Sequence, residues 1–460
     1  MSRSFSFGSS RRQELGGAIM SVDIAELIDE RAAWVSRRAF LDRDVYDQEQ
    51  ERIFRRCWLF LGHESQLPKP RDFFTTYMGE ESVIVNRDRS GKLRAFLNTC
   101  RHRGMRVCRA DRGNTAAFTC PYHAWTYDST GALTGVPKFE EGYYGELDKS
   151  AWGLIPVAQV DTYKGLIFGT FDASAPPLHT YLGDMAWYLD TILDRRAAGT
   201  ELVCGVHKWI MKANWKVAAD NNSGDWYHVY SAHGSIPKII PVPPTMPPIF
   251  GDNDQRVQIS PHLGHAMVGL LADTPEEALR GTGPSVRDYY GSTVPEAVER
   301  LGPVRARFVL IAGLVFPNFG WIPGSQTIRQ YHPRGPDKME VWSYCLVDKE
   351  APQDIKDSMR RNYAQRFGPS GMFEQDDGEN WSQVSASSRS SLARTLEFNY
   401  QMGLGHERCH ADLPGEIGNA NAELTHRSFY RRWAQEMSAA ASSAPDTGKK
   451  GHADERRIAT

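Results

Sequence analysis

Apolar positions along this chain fall into three textures. From Val22 to about Phe60, the stretches IAELIDERAAWVSRRAF and YDQEQERIFRRCWLF space their apolar residues three and four apart, which predicts helices. Between about 58 and 172 the runs shorten. FFTTYMG, SVIVNRD, LRAFLNT, AAFTC and GLIFGTF are separated by Gly, Pro or Asp-Arg, which predicts a small module of short strands and frequent turns. Beyond Ala173 helical spacing returns in LHTYLGDMAWYLDTILDRRAA, followed by a strand candidate at VHKWIMKA and a dense polar–aromatic stretch at 214–235. Segment 236–255 holds six prolines, which excludes a regular helix and predicts a long surface or pocket-covering loop. Strand-like runs follow at ARFVLIAGLVF, TIRQYH and MEVWSYCLV, then helical segments around 353–366 and 372–402, with no internal repeat.

The two tails, 1–20 and 438–460, are small, polar and charged, and are expected to be disordered. A chain of 460 residues calls for two or three domains. The textures divide it into an N-terminal helical part (21–57), the β-rich module (58–172) and a larger domain (173–437). A net charge of −2 with 24% charged residues gives no reason to expect nucleic acid or an anionic membrane as partner. Seven cysteines, an odd number spread over a long chain, do not form a secreted disulfide pattern. No apolar run of signal-peptide or membrane-spanning length is present. A reducing cytosol is the expected location, with cysteine used for packing or for metal.

Metal is the sharper reading of one constellation. Cys100 and His102 in CRHRG are followed, after seventeen residues, by Cys120 and His123 in FTCPYHAWTY. Two thiolates and two imidazoles suit zinc or an iron–sulfur cluster, the alternative being four unrelated packing and surface residues. The C-x-H half is tighter than the usual zinc loop. Each half also pairs one thiolate with one imidazole, the division a [2Fe–2S] cluster needs when two cysteines hold one iron and two histidines the other.

A second constellation lies in ANWKVAADNNSGDWYHVYSAHGS. Asp225 and His228 are three apart and can share a helical face. His233 falls off that face, but Gly234, Ser235 and Pro237 predict an end or bend that lets it swing back. Two histidines and one carboxylate with open positions form the facial triad of non-haem Fe(II) oxygenases. The carboxylate is not chosen by spacing. Asp225 is near, while FGPSGMFEQDDGENW offers Glu374, Asp376, Asp377 and Glu379, which could equally be a solvated acidic helix start.

NTCRHRGMRVCRA together with FTCPYHAWTYDSTG resembles the Rieske loops of ring-hydroxylating oxygenases. Respiratory Rieske proteins carry an additional disulfide pair, whereas Cys108 here has no counterpart in the second loop. That loop has Ala124 where the family usually has Gly. The D-x-x-H-x-x-x-x-H run after NWK, with EQDDGENW downstream, resembles the large catalytic subunit of aromatic-ring dioxygenases, and the likeness spans about residues 22–435.

The resemblance implies an α+β fold: a Rieske β-sheet domain inserted in a catalytic domain whose large antiparallel sheet is covered by helices, helix-grip or START-like. It implies one [2Fe–2S] cluster on Cys100, His102, Cys120 and His123, with Trp125 and Tyr127 packed around it. It also implies one mononuclear Fe(II) on His228, His233 and Asp377. Asp225 becomes a bridge carrying electrons between a neighbouring subunit's Rieske histidine and an iron-ligating histidine, and Asn221 a neighbour of the iron. Phe373 and Val229 are pocket nominees from their position beside the ligands, with core packing as the alternative. The implied activity is the terminal oxygenase step: both atoms of O₂ enter an aromatic, preferably polycyclic, hydrocarbon as a cis-dihydrodiol. Electrons come from NADH through a reductase and a ferredoxin. A small β subunit and an α₃β₃ or α₃ assembly complete the expectation. Asn222 and Ser223 stand where hydrocarbon-oxidising relatives have bulkier apolar groups, which leaves an aromatic acid open. A Rieske monooxygenase or demethylase, and a non-catalytic electron-transfer or zinc scaffold, are the rival readings.

Overall fold

The computed structural model describes residues 22–29, 31–236, 255–279 and 283–439. Apart from Ser438 and Ala439 the two tails lie outside the described residues, as does the proline-rich loop apart from Ile236 and Gln255. The larger domain is built on a nine-stranded antiparallel sheet. Its strands run, in spatial order, Thr200–Met211, Met339–Asp348, Thr327–Pro333, Phe319–Ile322, Phe308–Val315, Ala266–Leu271, Val257–Ser260, Glu416–Asn419 and Arg408–Cys409. The β-rich module precedes it as three small sheets. The first has four strands, Leu93–Leu97, Glu81–Arg87, Asp72–Met78 and Arg112–Asn114. The second has Ala117–Thr119, Thr126–Asp128 and Leu133–Gly135, and the third Gln159–Tyr163, Leu166–Thr170 and Leu59–His63.

The helix Trp215–Asn222 lies on one face of the large sheet, capped by Asn214, whose side chain accepts from the Lys216 N–H. Ala218 and Ala219 are fully buried, so helix and sheet approach closely. At Gly320 a Cβ would fall 2.5 Å from Nδ2 of Asn222, so only glycine lets the helix end seat there. The neighbouring Phe319 and Trp321 point to the opposite face, by strand alternation. There Phe60 of the β-rich module stacks on Phe319 at 4.1 Å between ring centres.

The N-terminal segment corrects the helical prediction. Only Arg43–Glu49 is an α-helix, running on as a π turn over Gln50–Phe54. Ile24–Glu26 and Arg37–Phe40 are 3₁₀ turns, and Trp34–Ser36 is a strand paired with Glu397–Asn399. This segment is locked to the catalytic core by Glu49. Its fully buried carboxylate meets Lys216 Nζ at 2.6 Å and accepts from the indoles of Trp215 and Trp433 at 2.9 and 2.8 Å. Three donors on one carboxylate offset the cost of burying it, and removing a partner from such a pair typically costs about 3–5 kcal/mol. Downstream, the helix Gln353–Phe367 matches its prediction, whereas Met372–Ser388 stops well short of residue 402. Among the described residues no helix is long and apolar enough to cross a membrane.

Candidate functional site

The two cluster loops have the same backbone design. In each, the cysteine carbonyl accepts from the amide four residues on, Gly104 at 2.9 Å and Ala124 at 3.0 Å. In each, the cysteine amide donates to the carbonyl five residues on, Met105 and Trp125, both at 2.8 Å. Such a turn needs a left-handed residue, and Gly104 (φ +72°) and Ala124 (φ +56°) supply it. Asn98 clamps the base of the first loop, its amide accepting from the Cys108 N–H at 2.8 Å and donating to the Cys108 carbonyl at 2.7 Å. Cys100 and Cys120 sit in a small separate core and are 3% and 2% exposed, whereas His102 and His123 are half-buried at its rim. The thiols are close enough to interact, burial first and then Cys100 pushing the Cys120 thiol up. The two imidazoles lie 4.5 Å apart between ring centres. His102 stacks on Trp125 at 5.0 Å, and its Nδ1 is enclosed without a hydrogen-bond partner among the described residues. The Tyr127 hydroxyl lies 3.3 Å from Cys100 Sγ.

This arrangement decides between zinc and a cluster. A single tetrahedral ion needs its ligand atoms within about 4 Å of one another, given bonds of about 2.0–2.3 Å. Among the described residues, the group of three or more metal-binding atoms lying within 4.8 Å of one another is His228, His233 and Asp377, and the four loop residues do not form one. They form a buried sulfur pair and an outer imidazole pair, which fits two irons and not one zinc.

At the second constellation, His228 Nε2 and His233 Nε2 are 3.3 Å apart, and Asp377 Oδ1 is 3.4 and 3.2 Å from them. Three donors at these separations make one triangular face of a coordination sphere, the arrangement of a facial triad. Asp377 Oδ1 is buried with no hydrogen-bond partner among the described residues, an orphan that a cation would satisfy. Burial opposes its ionisation, but the facing imidazoles hold the carboxyl well below the usual range. The helix Trp215–Asn222 ends before Asp225, so Asp225 and His228 do not share a helical face as the spacing suggested. Instead Asp225 Oδ1 accepts the His228 N–H at 3.2 Å, and a four-residue helical turn, Val229–Ala232, brings His233 back beside His228.

Each histidine has a carboxylate at its other nitrogen: Asp225 is 3.3 Å from Nδ1 of His228, and Asp376 is 3.2 Å from Nδ1 of His233. Such partners hold the ring orientation and leave Nε2 free for metal. Burial works against charge on His228, but Asp225 and Asp377 outweigh it and raise its pKa to about 10. Burial likewise opposes ionisation of Asp225, and contact with His228 reverses this to about 2. The amide of Asn221 is 3.2 Å from the same Nδ1. On the helix Met372–Ser388, Glu374, Asp377, Gly378 and Trp381 face inward, and Glu374 pairs with the buried Arg329. Asp376 as the partner of His233 was weighed in the sequence only as a rival ligand. Two adjacent acids carry no signal that they serve opposite nitrogens.

Phe373 lies edge-on to His233 at 5.0 Å and stacks on Phe367 at 5.2 Å. Val229 packs with Trp226 and Val268. Asn222 is buried with both polar ends engaged: it donates to the Gly313 carbonyl at 2.6 Å and accepts from the Tyr331 hydroxyl at 3.1 Å.

Residues 57–163 match the Rieske [2Fe-2S] domain, and residues 178–439 match the catalytic domain of the ring hydroxylating alpha subunit. The chain is 43% identical over 426 residues to the biphenyl 2,3-dioxygenase subunit alpha of Rhodococcus jostii, covering 90% of this chain and 91% of that one. It is 42% identical over 427 residues to the benzene 1,2-dioxygenase subunit alpha of Pseudomonas putida, covering 90% and 93%. A naphthalene 1,2-dioxygenase variant bound to phenanthrene superposes with a TM-score of 0.82 at 32% identity, covering 92% of this chain and 95% of that one. With both domains present in one chain, and with these relatives, the protein belongs to the alpha subunits of the Rieske-type ring-hydroxylating dioxygenases, whose cofactors are one [2Fe–2S] cluster and one mononuclear iron.

Proposed function

We propose that this chain is the terminal oxygenase that adds both atoms of O₂ to adjacent carbons of an apolar aromatic hydrocarbon, giving a cis-dihydrodiol. The balance is one arene, one O₂, two electrons and two protons per product. The observation that carries this reading is the three-donor face of His228, His233 and Asp377, with both histidines backed by carboxylates. When bound, the cluster supplies electrons one at a time and the iron supplies the dioxygen chemistry.

The chain's own residues do the rest. Cys100 and Cys120 would hold one iron of the cluster, and His102 and His123 the other. His102 and His123, half-buried, are the ligands nearer the domain surface. Asp225, about a quarter exposed while it holds His228, is the link to the Rieske histidine of a neighbouring subunit. Asp225 and Asp376 keep the two Nε2 atoms turned to Asp377, and Asn221 lies beside that arrangement without being a ligand. Phe373 and Val229 line the substrate side. The polar groups of Asn222 are spent on protein partners, so they do not argue for an aromatic acid. Benzene and biphenyl relatives support one- or two-ring hydrocarbons, and the naphthalene enzyme a fused pair.

The proposal includes a small β subunit, an α₃β₃ or α₃ ring, and a ferredoxin and NADH-dependent reductase in a bacterial cytoplasm. The test is ¹⁸O₂ turnover of biphenyl, benzene and naphthalene by the holoenzyme with such electron donors. A cis-dihydrodiol carrying two labelled oxygens is expected. A product with one labelled oxygen, or a lost methyl group on a methylated substrate, overturns the reading in favour of a monooxygenase.

A further inference from the structure

The sheet face that meets the Rieske domain encloses a cavity of its own. It lies between the sheet and the helix Met185–Leu193, has a volume of about 120 Å³, and is lined on its apolar side by Leu189, Phe308, Trp321 and Leu346. One water needs roughly 10–15 Å³ of such space and a cavity of about 150 Å³ takes benzene, so this one is near the size of a single ring. The cavity is separate from the iron site. Gly320 faces Asn222 on the iron side, whereas its neighbour Trp321 turns to the opposite face and into this cavity.

One polar group stands out in the lining. Nε and Nη2 of Arg195 are both enclosed and have no hydrogen-bond partner among the described residues. The adjacent Arg196 shows the contrast: its Nε meets Glu296 at 2.5 Å and its Nη1 the Tyr289 hydroxyl at 2.7 Å. Asp348 also lines the cavity and is near enough to act on Arg195, but its carboxylate is engaged by the Tyr289 hydroxyl at 3.3 Å. Burial lowers the pKa of Arg195 and raises that of Asp348, so neither charge is well stabilised by the protein alone. An enclosed guanidinium with unmet donors is costly unless something supplies acceptors. Nε–H and Nη2–H form the edge of the group that presents two parallel donors, the fork that a carboxylate accepts.

We propose that this cavity is a second ligand site, for a small aromatic carboxylate whose two oxygens take Nε and Nη2 of Arg195 and whose ring lies among Leu189, Phe308 and Trp321. The site stands apart from the catalytic reading and does not depend on it. The same carboxylate chemistry could come from an acidic side chain of an associated chain, so the test uses the assembled holoenzyme.

Benzoate is titrated calorimetrically into the wild type, and benzamide serves as the neutral ligand of the same shape. Arg195→Gln removes the charge, and Arg195→Lys keeps the charge but loses the fork. Iron and sulfide contents confirm that each variant is folded and loaded. One benzoate per chain is expected for the wild type, with at least tenfold weaker binding for benzamide and for Arg195→Gln, and an intermediate value for Arg195→Lys. Equal binding to wild type and Arg195→Gln would place benzoate elsewhere and overturn the proposal. No binding at millimolar benzoate also overturns it, since the cavity is then filled or closed in the assembly.

Discussion

Replacing Tyr127 by Phe removes a single oxygen from beside the cluster. Tyr127 is fully buried, its hydroxyl accepts the Arg101 N–H at 3.1 Å, and it lies 3.3 Å from Cys100 Sγ. Burial, then contact with Cys100, raises its pKa, so the group stays a neutral hydroxyl whose proton is directed at sulfur. Adding an electron increases the negative charge on the cluster and its thiolates, so this donor stabilises the reduced form more than the oxidised one. A hydrogen bond to a charged group is worth about 1.5–3 kcal/mol. If about 1 kcal/mol of that is the difference between the two redox states, the one-electron conversion of 59 mV per tenfold predicts a fall in potential of about 40 mV. Voltammetry of wild-type and Tyr127→Phe holoenzyme at one pH measures this, with electron paramagnetic resonance confirming an intact cluster in both. An unchanged or raised potential with the cluster intact would refute the reasoning.

Asp376→Ala takes the partner from His233 Nδ1 and is expected to weaken mononuclear iron binding by about 10–100-fold, read by chelator competition, with the visible spectrum of the cluster unchanged. Ala124→Gly relieves a left-handed cost of about 1–2 kcal/mol, less about 0.5–1 kcal/mol of added unfolded-state freedom. Heat-induced bleaching of the cluster should therefore slow, and Gly104→Ala, where a Cβ meets nothing within 4 Å, should speed it by backbone strain alone. Burial lowers the pKa of both His63 and His265 to about 4. The unfolded chain then binds protons between pH 6.5 and 4 that the folded one does not. The contribution of each is whole above pH 6.5 and falls with pH by up to about 1.4 kcal/mol per unit. His265, which accepts from the Phe316 N–H at 3.1 Å, is tested by His265→Gln, and an acid slope of melting temperature identical to wild type would contradict its part in this.

Much of the chemistry was legible because it depends on residue types at short range. CRHRG and CPYH each close a local turn whose hydrogen bonds lie within six residues, so neighbours in sequence are neighbours in space. The short Rieske strands Asp72–Met78, Glu81–Arg87, Leu93–Leu97 and Leu166–Thr170 follow the runs that predicted them for the same reason. The misreadings arise where distant segments overrule local pattern. Trp34–Ser36 has helical spacing but pairs with Glu397–Asn399, more than 350 positions away. That same pairing is incompatible with a helix running on to residue 402, so Met372–Ser388 stops and the chain turns to meet its partner.

The sequence by itself determined the available ligands, two thiolates, a set of imidazoles and an acidic run, together with the short spacings that favour an iron–sulfur cluster over zinc. Spacing did not choose among the acids, although the resemblance implied Asp377 as ligand, and which nitrogen each acid faces is set by the tertiary structure. Asp376 and Asp377 are neighbours about 100° apart on a helix, and their composition is identical. Packing of that helix against the sheet turns Asp377 inward between two Nε2 atoms and leaves Asp376 half-exposed at the far nitrogen of His233. Asp225 likewise becomes a partner of His228 because the helix before it ends at Asn222, seated on Gly320. Spacing along a chain specifies distances only within one element; between elements, the distance is set by the packing that brings them together.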